Sequence, residues 1–126
     1  MKIEFVPRDK QRSEYDWADI SNGDERIGKA RCKIENVTII ICSINIYPEW
    51  AGHGYGREFV DYCKCHFQVV VADRVRPTAV GFWETMGFNY NHDGAWVYRK
   101  TSVKMNSILY VQKASKRSGS IVPNVS

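Results

Sequence analysis

Apolar and polar positions alternate with a period of two over most of the first 46 residues, and the period lengthens beyond residue 56. Lys-Ile-Glu-Phe-Val at 2–6 alternates and stops at Pro7, which predicts a short strand. The charged residues 8–13 are too few and too weakly periodic for a pair of helices. A second strand is predicted from Glu14 to Ile20, running into Ser21-Asn22-Gly23-Asp24. Asn-Gly between two extended runs predicts a tight hairpin with both central residues at positive φ. Arg26 to Ile34 forms a third strand, and Asn36 marks the next turn. Val37 to Ile46 is almost continuously β-branched, which predicts a central strand buried on both faces.

The second half carries the helices. Between Gly56 and Phe67, the residues Phe59, Val60, Cys63 and Phe67 make one apolar stripe, and Arg57 and Asp61 stand at i,i+4 spacing. Gln68 to Ala72 is a short apolar strand reached through that helix, so it is expected to run parallel to the strand before it. The next helix is punctuated at both ends. Pro77 suits its first position, Gly87 the left-handed position after it, and Phe88 can pack back over the last turn. A hairpin around Asp93-Gly94, with Tyr90, Trp96 and Tyr98 on its strands, closes residues 88–100. One further strand is expected at Ser107 to Val111. The fold class is therefore α/β: a mixed, mostly antiparallel sheet of about six to seven strands with two main helices.

Bulk properties narrow the setting. A chain of 126 residues, 44% of them hydrophobic, suffices for one domain with a genuine core. The expected division is a domain over 1–100 and a partly disordered basic extension over 101–126. The first 100 residues hold 14 cations and 14 acids, whereas the rest hold Lys104, Lys113, Lys116 and Arg117 with no acid. Such a tail can touch nucleic acid or an acidic partner; a solubilising end is the plainer reading. No long apolar span or signal-like N-terminus is visible, so a soluble cytoplasmic protein without membrane association is expected. The four cysteines fall in strand-like and helix-like runs and read as reduced thiols. Cys63 and Cys65 at i,i+2 on a helix point to different faces, so no metal site is expected.

The most telling stretch runs from Ile44 to Arg57. An apolar strand ends in Pro48-Glu49, and Gly52, Gly54 and Gly56 then lead directly into a helix. Glycines let a backbone approach a ligand closely, and the first amides of a helix have no intrahelical acceptor. That combination makes a cradle for a phosphate-bearing ligand. A Rossmann-type dinucleotide site would instead want Gly-x-Gly-x-x-Gly followed by an acid at the end of the next strand, so it ranks last.

The order apolar-x-apolar-x-Pro-x-x-x-Gly-x-Gly-x-Gly resembles the acetyl-CoA pyrophosphate loop of the GNAT N-acetyltransferases. That family's Gln/Arg-x-x-Gly-x-Gly/Ala falls here on Ala51, Gly54 and Gly56. A second segment, Arg76-Pro77-Thr78-Ala79-Val80-Gly81-Phe82-Trp83-Glu84-Thr85-Met86-Gly87-Phe88, resembles the family's Asn-x-x-Ala-x-x-Phe-Tyr-x-x-x-Gly-Phe helix. The likeness covers roughly residues 24 to 100 and implies an N-acetyltransferase that moves an acetyl group from acetyl-CoA, its co-substrate, to a primary amine. By resemblance, backbone groups around Ile44 to Ile46 would pair with the pantetheine arm. Ala51, Gly52, His53, Gly54, Tyr55, Gly56 and Arg57 would hold the pyrophosphate, with Arg76 and Trp83 beside the coenzyme.

Two departures bear on the chemistry. The family usually inserts two helices between its first two strands, where this chain has about seven residues. The acceptor pocket is then open, built by the C-terminal tail, or completed by a second copy in a homodimer. Trp83 stands where many relatives carry a tyrosine acid, which leaves that role to Tyr47, Tyr90, Tyr98 or water, or leaves the step unassisted. Glu49 and Asp73, each near the C-terminal end of a central strand, are the candidate bases. The alternative to an enzyme is a catalytically silent GNAT-like module that binds acyl-CoA or a protein.

Overall fold

The computed structural model describes residues 1–100, so the expected strand at Ser107 to Val111 and the basic extension lie outside the described residues. Among the described residues, seven strands form one sheet in the order β1-β2-β3-β4-β5-β7-β6. β1 (Lys2–Val6), β2 (Asp16–Asn22), β3 (Glu25–Glu35) and β4 (Thr38–Ile46) make an antiparallel meander. Helix α1 (Tyr55–His66) then carries the chain to β5 (Val69–Ala72), which pairs with β4 in parallel. A 3-10 turn (Pro77–Ala79) opens α2 (Val80–Thr85), and the hairpin β6 (Asn89–Tyr90) and β7 (Trp96–Arg99) closes the far edge. None of the described helices is long and apolar enough to cross a membrane.

Side-chain alternation explains the core. Ala18, Ile20, Ala30, Cys32, Ile39, Ile41, Val70 and Ala72 point from the sheet to one side, where Phe59, Val60 and Cys63 of α1 and Trp83 of α2 cover them. Burial pushes the Cys63 thiol up to about 12 and that of Cys32 up as well, so both behave as small apolar groups. A smaller cluster of Ile40, Val71, Ala95 and Val97 occupies the other face near β5 and β7. The C-terminus of α2 closes as its sequence predicts. Gly87 takes φ +89°, its amide reaches the Glu84 carbonyl at 3.0 Å, and the Phe88 amide reaches the Trp83 carbonyl at 3.0 Å.

Four expectations need correction. The tight turn between β2 and β3 is centred on Gly23-Asp24, because Asn22 pairs with Glu25 inside the ladder. Gly23 has φ +66° and Asn22 is not left-handed, so only one residue needs the special conformation. Pro77 opens the 3-10 turn that precedes α2 rather than the α-helix itself. Arg57 and Asp61 do not pair: the Arg57 Nη1 lies 3.2 Å from the Met86 Sδ, and Asp61 stands 3.9 Å from Lys64 Nζ.

The fourth correction concerns β4. Arg31 pairs with Ser43 but Cys32 pairs with Ile41, so Cys42 is an extra residue in β4. The bulge reverses the alternation: Ile39 and Ile41 face α1 before it, and Ile44 and Ile46 do so after it. Only residues 38–41 of β4 are buried, while Ser43 and Asn45 are exposed, so the strand is not buried on both faces along its length.

The short link between β1 and β2 is held by one carboxylate. A 3-10 turn at Arg8–Lys10 brings Arg8 over Asp16, which is buried at the start of β2. Asp16 accepts from the Arg8 amide at 2.7 Å, the Arg8 Nη2 at 3.0 Å and the Ile34 amide at 2.8 Å. Burial alone would raise the pKa of this carboxyl, but the Arg8 guanidinium and the two amides outweigh it and hold Asp16 below its ordinary 3.8. A depressed folded value means that the contribution is complete above the ordinary value and disappears as pH falls through the folded one. Asp16→Asn is expected to lose about 2 kcal/mol at neutral pH. It should also flatten the fall in melting temperature that the wild type shows below about pH 4. Thermal unfolding of both proteins across the acid range checks both.

Candidate functional site

Two features meet where β4 leaves the sheet: a cleft between β4 and β5, and the start of α1. β4 and β5 pair from Thr38–Val69 to Ile41–Ala72, and a last bond joins the Asp73 amide to the Ile41 carbonyl at 3.0 Å. Past that point the bulge at Cys42 turns β4 while β5 has ended, and the strands separate. The gap is a cleft of about 360 Å³ lined by residues 41–44 and 72–76 with Ala79, Phe82 and Trp83.

The cleft is apolar on its α2 side and polar at its mouth. Trp83 is 8% exposed and makes edge contacts with Phe82 and Phe88 at ring distances of 5.0 and 4.8 Å, which fixes the wall. Asp73, Arg74 and Arg76 line the β5 side, and Cys42 and Ser43 the β4 side. Arg74 takes φ +51° as the chain turns, and its Nε stands 3.9 Å from the Asp73 carboxylate. Burial raises the Cys42 thiol and the Asp73 charge adds to that, while Arg31, Lys33 and Arg74 oppose it.

The second feature is built from glycine. The Tyr47 amide bonds the Ile27 carbonyl at 2.9 Å, and Pro48–Trp50 makes one 3-10 turn. Gly52 and Gly54 then take φ +82° each, a conformation that costs any side-chain-bearing residue. Gly54 is the N-cap of α1, and no side-chain oxygen caps that end. Among the described residues, the amides from Gly52 to Arg57 have no acceptor. A Cβ added at Gly52, Gly54 or Gly56 would meet nothing within 4 Å, so the space before the helix is open. Uncapped amides, the positive end of a twelve-residue helix and open space in front of both fit a phosphate group. The Tyr55 hydroxyl accepts from the Asn22 Nδ2 at 3.2 Å, and its ring meets Trp50 edge-on at 6.2 Å, so the helix start is tied to the β2–β3 hairpin.

The sequence candidates divide between these features. Ile44, Asp73, Arg76 and Trp83 line the cleft. Ala51, Gly52, His53, Gly54, Tyr55, Gly56 and Arg57 form the loop and first turn of α1. The His53 Nδ1 is engaged with the carbonyls of Trp50 and Ala51 at 3.0 and 3.1 Å, so that nitrogen serves its own loop. Ile46 packs against the core. Glu49 is exposed in the 3-10 turn and Tyr47 caps that turn, and neither lines the cleft. Tyr90 and Tyr98 lie on β6 and β7, also outside it. Sequence reasoning missed Cys42 and Ser43, because only the bulge brings both to the cleft wall.

No protein-family model matches the chain, and no curated protein matches it in sequence. Solved structures do match in three dimensions. An acetyltransferase of Thermus thermophilus is 21% identical, with 73% of this chain and 71% of that chain covered and a TM-score of 0.57. The Bacillus subtilis N-acetyltransferase YlbP, in complex with coenzyme A, is 16% identical over 74% and 73% of the two chains, with a TM-score of 0.53. A GNAT-family protein of Bacteroides thetaiotaomicron is 14% identical over 77% and 68%, with a TM-score of 0.54. At these identities the likeness speaks for architecture: the chain has the GNAT-like fold of the acyl-CoA N-acyltransferases.

Proposed function

We propose that the protein is an N-acetyltransferase that uses acetyl-CoA to acetylate a primary amine. The observation that carries the reading is the pairing of an uncapped glycine-rich helix start with a cleft between diverging strands, in a GNAT-like fold. The amides from Gly52 to Arg57 would hold the pyrophosphate. The exposed β4 edge past Cys42 would offer backbone groups to the pantetheine arm, and Trp83, in the cleft wall, would pack beside the coenzyme. Bound acetyl-CoA supplies an activated acetyl group. The coenzyme A held by the Bacillus subtilis structure supports the same ligand class.

The chain's own task is to hold the acceptor amine at the cleft mouth and to remove its proton. We assign the proton to the Asp73 carboxylate, directly or through one water, because Asp73 lines the cleft and Glu49 does not. Among the described residues no tyrosine hydroxyl lines the cleft, so the proton that returns to the leaving thiolate is assigned to water. Arg76 stands beside the apolar wall as a cation for the coenzyme.

Two substitutions test separate parts. Gly54→Glu puts a side chain and a negative charge into the cradle, and is expected to weaken acetyl-CoA binding by about two orders of magnitude. Calorimetry against a variant shown to be folded by circular dichroism measures this; unchanged affinity would remove the site. Asp73→Asn should leave acetyl-CoA affinity unaltered and lower kcat by about a hundredfold or more. Wild-type turnover in that variant would reject the base.

A further inference from the structure

The sheet face opposite α1 carries a charged row that the coenzyme site does not use. β3 presents Lys29, Arg31 and Lys33 on that face at alternate positions, about 6.6 Å apart along the strand. Two of their register neighbours on β4 are polar, Asn45 opposite Lys29 and Ser43 opposite Arg31, while Lys33 stands opposite the buried Ile40. Across β2 the row meets aromatic rings. Lys29 lies 5.0 Å from the Trp17 ring, and Arg31 and Lys33 lie 4.8 and 5.4 Å from that of Tyr15. Tyr15 and Trp17 are themselves packed edge-to-face at 6.3 Å, and the Trp17 Nε1 donates to the Ser13 Oγ at 3.2 Å. The cations are therefore held in place on a rigid bed. Two acids stand in line with Lys29 on this face: Asp19 of β2, bound to Arg26 at 3.3 Å, and the exposed Glu4 of β1, in register with Asp19. Among the described residues, the buried Nε of Arg31 has no hydrogen-bond partner, an uncommon state for such a group.

This row reaches the cleft. Ser43 belongs to both, as the partner of Arg31 and as part of the cleft wall. Arg31 and Lys33 flank Cys32 on β3, where the ladder shifts at the bulge, and Arg74 lines the cleft with Asp73 and Cys42. With only a short link between β1 and β2, no helix among the described residues covers this face.

We propose that the acceptor is an acidic peptide segment, which lies extended across this face with its carboxylates on Lys29, Arg31 and Lys33 and its amine at the cleft mouth. The proposal rests on the transferase reading for the direction of approach. Charge complementarity selects an anion, and the spacing selects an extended peptide, whose alternate side chains repeat at the same interval. Because the chain's own cations already cover the rings, the face offers charge and little free aromatic surface. That favours carboxylates over stacked bases, which need open rings.

The test uses the full chain and a short peptide with a free α-amine, Glu at every second position and a C-terminal fluorophore. Its controls are the same peptide with Gln for Glu and an oligouridylate of equal charge. Without acetyl-CoA, the acidic peptide should bind with an affinity that falls with added salt. The double variant Lys29→Glu, Lys33→Glu should weaken that binding about tenfold and leave acetyl-CoA affinity unchanged. Equal affinity for both proteins, as binding to the basic extension would give, overturns the proposal. So does an oligouridylate that binds more tightly than the peptide and is lost in the variant. With acetyl-CoA, the acidic peptide should be acetylated faster than its Gln counterpart, and the variant should lose the preference. Equal rates on both peptides would remove the docking role and keep the transferase. Charge-dependent binding with no acetylation of any amine would keep the docking face and reject the transferase.

Discussion

One extra residue in β4 governs the candidate site. Without Cys42 the strand would keep its alternation, with no bend to part it from the chain leaving β5. The insertion leaves the β3 side of β4 bonded, with Lys29 and Ala30 still opposite Asn45 and Ile44, and frees only the side toward β5. That asymmetry makes a cleft without weakening the sheet that supports it. Gly28 assists at the far end of the same pairing: a Cβ there would stand 2.6 Å from the Asn45 carbonyl oxygen, so only glycine lets the two backbones approach this closely.

The helix start depends on the same strand for its position. β4 delivers the chain to Tyr47, whose amide is fixed on β3, and a single 3-10 turn and two left-handed glycines complete the entry to α1. A serine or aspartate at the N-cap would satisfy an amide and stiffen the helix. Gly54 forgoes that gain, which keeps the amides available. Arg57 and Lys64 meanwhile tie α1 to the end of α2 through the Met86 sulfur and its carbonyl oxygen, which joins the two helices that flank the site.

Much of this was legible in the residues, for identifiable reasons. Period-two alternation and β-branched content located the strands, and Pro77 and Gly87 bracketed the second helix. The glycine loop was legible because positive φ leaves few other choices at Gly52 and Gly54. The bulge was not. Ile39-Ile40-Ile41 has no apolar–polar alternation from which to read a phase, so the shift at Cys42 before Ser43-Ile44-Asn45-Ile46 does not show in the sequence. Cys42 and Ser43 were missed for that reason, and so was the parting of the strands. Asn22-Gly23 misled by one position because glycine alone meets the turn's requirement at its first place. The cation row on β3 also escaped notice, since Lys29, Arg31 and Lys33 read in sequence as the ordinary solvated side of a strand.

The order of the strands has a consequence for how the molecule assembles. β1 to β4 pair only with neighbours in sequence, across a link and two short turns, so their ladders close over small chain separations. β5 must wait for α1 to bring it across, and it joins β4 through four residues before β7 can add to it. Contacts that close larger loops form later, so the meander is the natural nucleus and the β4–β5 junction a late event. The cleft thus arises at the seam between the early and late halves of the chain. Amide exchange should be slow in β2 and β3 and faster in β5, and a ligand that bridges the seam would fasten the two halves together.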